Sequence, residues 1–155
     1  MNLIVEKIKQ NIPIWNTRQL TETDFYNFCE THDILVVETP LRYQVKAMLW
    51  FVENEYVATI NSRLHGVTKL FAMWHEVGHF ILHSPNKTIG TYFWGDERIY
   101  SHQNRREENE ADVFGLCASV PKDWVLTKTY DELLEEGFSE GQLQKRKEIY
   151  EKYKI

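Results

Sequence analysis

The chain has 155 residues, 43% of them hydrophobic, and carries a formal net charge of −5. That is enough apolar content to bury one core, so a single domain over residues 1–155 is expected. The acidic balance offers no general attraction to nucleic acid, and no run approaches the roughly 20 apolar residues of a membrane span.

Met1-Asn2-Leu3-Ile4-Val5-Glu6-Lys7 lacks the long apolar stretch of a signal peptide. Cys29 and Cys117 stand far apart and form no CxxC pair. Both features suit a reducing, cytoplasmic setting rather than a disulfide framework. Residues 2–10 predict a short helix, cut off by Pro13. Thr21-x-x-Asp24 reads as a variant capping box opening a helix through Phe28 to about Glu30. These two make a helical segment over residues 1–30. Asp33 to Thr39 is β-branched and apolar enough for a strand, stopped by Pro40. Leu41 to Val52 and Tyr56 to Ile60 read as two strands joined across Glu53-Asn54-Glu55, a hairpin.

From Lys69 the chain runs Leu-Phe-Ala-Met-Trp-His-Glu-Val-Gly-His-Phe-Ile-Leu-His to position 83, before Ser84-Pro85. Proline disfavours helix in the residue before it, so a helix ending near His83 is expected. Its other residues are apolar on nearly all faces, which marks a buried helix. Burying a carboxylate and two imidazoles there without partners would cost several kcal/mol, and a bound cation removes that objection. His75 and His79 lie one turn apart on one face, so both rings can reach one metal ion, with Glu76 beside them as a general base. Gly78 costs roughly 1 kcal/mol against Ala in a helix interior, a cost that close approach of another backbone would offset.

A zinc hydrolase needs a third protein ligand and an open fourth position. A histidine six residues past His79 is excluded, because that position is Pro85. His83 sits about 12 Å of helical rise from His75, too far for one ion to hold all three rings, so it reads as a helix-end or supporting residue. Residues 86–104 include Thr91-Tyr92-Phe93-Trp94-Gly95, a candidate cleft wall. Tyr92, Tyr100 and His102 are candidate donors to a developing oxyanion.

In Arg105-Arg106-Glu107-Glu108-Asn109-Glu110-Ala111-Asp112 polar residues give way at Ala111 to an apolar run that stops at Pro121. This predicts a second helix, exposed at its start and buried at its end. Glu108 and Asp112 share a face: Glu108 can be the third ligand, while Asp112 can accept the other ring N–H of a bound histidine. Glu107 and Glu110 compete with Glu108. From Tyr130 a short acidic helix (Asp131 to Glu136), a break at Gly137 and a helix from Ser139 to Tyr153 follow. The tail resembles a helix-turn-helix only superficially, because it is net acidic and lacks a basic face.

Ile60-Asn61-Ser62, the apolar run into His75-Glu76-Val77-Gly78-His79 with Leu82-His83, and Glu108-x-x-x-Asp112-x-Phe114 before Ala118-Ser119-Val120-Pro121 resemble the ImmA/IrrE-type metallopeptidases. These belong to the wider gluzincin group. The resemblance covers residues 30 to 125, with a looser echo beyond. It implies His75, His79 and Glu108 as zinc ligands, Glu76 as the catalytic residue and Asp112 as the support behind a ligand. The family more often has Asn where Asp112 stands, and its Leu-Leu-Met-Pro-like ending is Ala-Ser-Val-Pro here.

The expected fold is α+β: a small antiparallel sheet packed on the His-Glu-x-x-His helix and a second, Glu-bearing helix, with helical terminal segments. A catalytic core over 31–125 lies between residues 1–30 and a helical tail, 126–155. Relatives imply that an extended peptide adds to a sheet edge beside the active helix. Tyr56 to Asn61 is the segment expected there, with Asn61, Tyr100 and His102 as substrate contacts. The implied function is a zinc-dependent, site-specific endopeptidase that cleaves a helix-turn-helix repressor or similar regulatory protein in a phage or mobile-element setting. The alternative is a zinc-stabilised binding module or toxin–antitoxin component that acts by binding alone. Glu76 separates the two, since a purely structural zinc needs no Glu between its histidines. No direct contact with nucleic acid or membrane is expected.

Overall fold

The computed structural model describes residues 2–42, 45–83 and 102–155. Along the chain these form α1 (Asn2–Asn11), α2 (Glu22–Thr31), β1 (Ile34–Thr39), β2 (Ala47–Val52), β3 (Glu55–Asn61), α3 (Gly66–His83), α4 (His102–Ser119), α5 (Lys122–Thr127), α6 (Tyr130–Glu135) and α7 (Glu140–Tyr153). The class is α+β, with helical segments before and after the sheet.

The start of α2 is fixed locally. Thr21 Oγ1 accepts from the Asp24 amide at 3.2 Å, and the Asp24 carboxylate accepts from the Thr21 amide at 2.8 Å. The expected capping box is therefore present. Arg18 grips the same carboxylate with two hydrogen bonds of 2.7 and 2.8 Å.

Glu53 (φ 51°) and Asn54 (φ 68°) both take left-handed backbone between β2 and β3. A two-residue turn of that kind matches the twist of antiparallel strands. The strand order is β1-β3-β2, with β3 antiparallel to β2 and parallel to β1. The sheet is thus mixed rather than wholly antiparallel. The hairpin claims one side of β3, and the chain leaves α2 already running in the direction of β3, so the second pair is parallel. This also corrects the expected edge: Tyr56 to Asn61 is the central strand, bonded on both sides, and the open edges belong to β1 and β2.

One face of the sheet, through Leu49, Ala58 and Ile60, is buried with Leu70, Met73, Trp74 and Val77 of α3. Helix α4 packs along α3 through small residues. A Cβ added to Gly78 would meet the Ala111 Cα at 3.2 Å, and one added to Gly115 would meet the His75 backbone N at 3.2 Å. Gly78 thus sits where a neighbouring backbone comes close, as the sequence suggested, and a Cβ there would be tight.

The end of α4 is clamped from both sides. Trp15 stacks on Phe114 and donates to its carbonyl at 3.2 Å, and the Leu20 amide donates to Ala118 O at 2.9 Å. Arg146 of α7, only 1% exposed, donates to Val120 O at 2.7 Å and to Asn16 Oδ1 at 2.9 Å. Thr129 and Ser139 open α6 and α7 with capping boxes of their own. Val120, Leu133, Phe138 and Leu143 form a second small core under these helices. Among the described residues no helix is long and apolar enough to cross a membrane.

Candidate metal centre

His75 and His79 project from one face of α3 toward Glu108 of α4. Their Nε2 atoms lie 3.1 Å apart. Glu108 spans the pair, with Oε2 3.3 Å from His75 Nε2 and Oε1 3.2 Å from His79 Nε2. Among the described residues these three form the group able to hold a metal ion, their ligand atoms all within 4.8 Å of one another. Of the glutamates open to the third role, Glu108 is the one that joins the histidines. Glu110 turns instead to His83 and Arg106.

The electrostatics call for a cation. Two Nε2 atoms at this distance can share one proton at most, while both carboxylate oxygens face them. Burial works against charge on His75, yet Asp112 and Glu108 outweigh it and push its pKa up to about 10. Burial also works to raise Glu108, but His75 and His79 hold it well below the usual carboxylate range. Two imidazoles and a carboxylate are the donor set of a catalytic zinc site, and the residues present fit one. The side chains of His75 and Glu108 are 15% and 33% exposed, so the group is reachable from outside.

Behind His75, Asp112 Oδ1 lies 3.0 Å from Nδ1, at hydrogen-bonding distance. A ring N–H on Nδ1 turned to that oxygen would leave Nε2 free to face Glu108 and hold the ring's orientation. Glu76 is partly buried beside the pair. Burial pushes its pKa up, His75 and His79 pull the other way, and the Leu49 amide donates a hydrogen bond to its carboxylate.

The candidate substrate contacts fare differently. Asn61 is buried, and its Nδ2 donates to Val45 O at 2.7 Å while Oδ1 accepts from the Leu41 and Arg63 amides. Its amide is held by backbone on both sides, so it staples the loop before β2 to the end of β3. Tyr92, Tyr100 and the aromatic stretch 91–95 lie outside the described residues. His102 begins α4, and its side chain is likewise outside them.

The IrrE N-terminal-like domain (Peptidase_M78) matches residues 29–146, most of the chain. The chain belongs to this family. The match spans β1 to α7 and so takes in α3, α4 and every residue of the group just described. Among curated proteins none matches the chain.

One feature of this family member escaped the sequence reading: Lys145 of α7 reaches Asp112. His83, expected as a helix-end or supporting residue, links His79 to Glu110. His83 had a local signal, since it lies one further turn along the stripe of His75 and His79. Lys145 had none.

Proposed function

We propose that this peptidase-family protein is a zinc-dependent endopeptidase that cuts a regulatory, DNA-binding protein at a specific bond. The observation that carries the reading is the convergence of His75, His79 and Glu108 with Glu76 alongside. A zinc ion held by those three residues supplies Lewis-acid polarisation of water and of the scissile carbonyl. Glu76 takes the proton of the attacking water and delivers it to the leaving amine. Its desolvated carboxylate is a stronger base than an exposed one, which suits the first half of that task.

The strand beside Glu76 supports a place for the substrate. Lys46 O accepts from the Asn61 amide, and strand backbone alternates in direction, so residues of β2 in step with Lys46 face β3. The backbone groups of Ala47, Leu49 and Phe51 then face the open edge. The hydrogen bond from Leu49 to Glu76 supports that parity from the other side. An extended peptide adding to β2 lies next to the general base, the geometry that β-augmentation provides.

The repressor as substrate rests on the resemblance to ImmA/IrrE-type enzymes alone. The test is intact-mass spectrometry of a helix-turn-helix repressor encoded beside this protein after incubation with it, against a Glu108→Ala control. One discrete cut made only by the wild type is expected. An uncut repressor in the presence of one bound zinc per chain would favour the binding-module reading.

A further inference from the structure

A second line of contacts leads away from the metal centre through His79. His79 Nδ1 is 3.1 Å from His83 Nδ1, and His83 Nε2 is 3.1 Å from Glu110 Oε2. Arg106 Nε donates to the other oxygen of Glu110 at 2.8 Å. The His83 side chain is 8% exposed and that of Glu110 21%, so the line leaves the centre below the surface and comes out at Arg106, which is 80% exposed.

Proton bookkeeping gives the line a direction. For His79 Nε2 to offer its lone pair beside Glu108, the ring proton must sit on Nδ1. That N–H donates to His83 Nδ1, so His83 carries its own proton on Nε2 and donates it to Glu110. The reverse assignment fails. If His83 donated to His79, the His79 proton would sit on Nε2 and block the ligand atom. We propose that His83, backed by Glu110 and Arg106, is the positioning residue for His79, holding the ring that Asp112 does not reach. The two ligand rings are then oriented by different groups, one by a carboxylate directly and one through an intervening imidazole.

The inference rests on the zinc reading above, and the test separates the two. Zinc affinity is measured by chelator competition for the wild type, His83→Phe, His83→Gln and Glu110→Gln. Phenylalanine keeps the bulk but neither accepts nor donates, and should weaken zinc binding about 10- to 100-fold. Glutamine can accept from His79 and donate to Glu110, and should restore most of the affinity. Glu110→Gln should weaken binding less, with no further loss when added to His83→Phe. Long-range ¹H–¹⁵N NMR of the zinc-loaded wild type should show Nδ1–H on His79 and Nε2–H on His83, a readout that no folding defect can mimic. Wild-type affinity in a folded His83→Phe, or the opposite tautomers, would overturn the inference while leaving the zinc site intact. A wild type that binds no zinc would instead overturn the reading beneath it.

Discussion

Lys145 Nζ lies 2.6 Å from Asp112 Oδ2, across 33 residues of sequence. The other oxygen of Asp112 is 3.0 Å from His75. One carboxylate therefore stands between the last helix and the candidate metal centre, and α7 does more than cover the core. Lys145→Met should lower zinc affinity about two- to fivefold, the scale of a partly exposed ion pair. Chelator competition reads the change, and identical affinities would mean that Lys145 serves α7 alone.

Gly115 lets α4 approach α3 at the level of His75. The Cβ of Gly115→Ala would stand 3.2 Å from the His75 backbone N and 3.1 Å from Phe71 Cε2. Because one neighbour is backbone, the helices must part by a few tenths of an ångström, and Glu108 moves with α4. A loss of about 1–3 kcal/mol in stability is expected, together with about tenfold weaker zinc binding. Denaturant unfolding and competition measure the two separately. Weaker folding with full zinc affinity would show that the crossing does not set the site.

Ligand geometry was readable because it is local. Two histidines four residues apart share a helix face whatever the rest of the chain does, and the switch from polar to apolar at Ala111 marked where α4 turns inward. Strand order was not readable. The pattern of Tyr56 to Asn61 is that of any buried strand, and its central place follows from where α2 delivers β1. The structural role of Asn61 was not readable either, because Leu41 and Val45, which bond its amide, lie 20 and 16 residues away in the chain. The six-residue α5 carries little signal beyond Pro121. Lys145 and Glu110 act across the fold, so nothing beside them in the chain hints at their partners.

Zinc should act as a stabilising ligand. At a hundred times its dissociation constant it should add about 2.7 kcal/mol. Calorimetry with and without chelator reads this as a change in Tm. His79→Ala should lose the increment, whereas an equal increment in that variant would place the zinc elsewhere.

Asp24 ties α2 to solution pH. Arg18, against the opposing effect of burial, and Thr21 bring its pKa from 3.8 down to about 2. A depressed carboxylate stabilises the fold above its unfolded pKa and loses that contribution as pH falls through the folded value. Asp24→Asn should therefore be less stable than wild type at neutral pH by at most about 1 kcal/mol. The gap should close between about pH 4 and pH 2. Urea midpoints across that range decide it; a gap independent of pH would make the hydrogen-bond geometry, not the charge, responsible.

The central claim is that Glu76 performs chemistry at a centre it does not help to hold. The direct measurement is zinc content and peptide-bond cleavage, side by side, in wild type and Glu76→Gln. One zinc per chain in both, with hydrolysis reduced about 10²- to 10⁴-fold in the variant, is the predicted result. Zinc lost together with activity, or cleavage undiminished in Glu76→Gln, would contradict it.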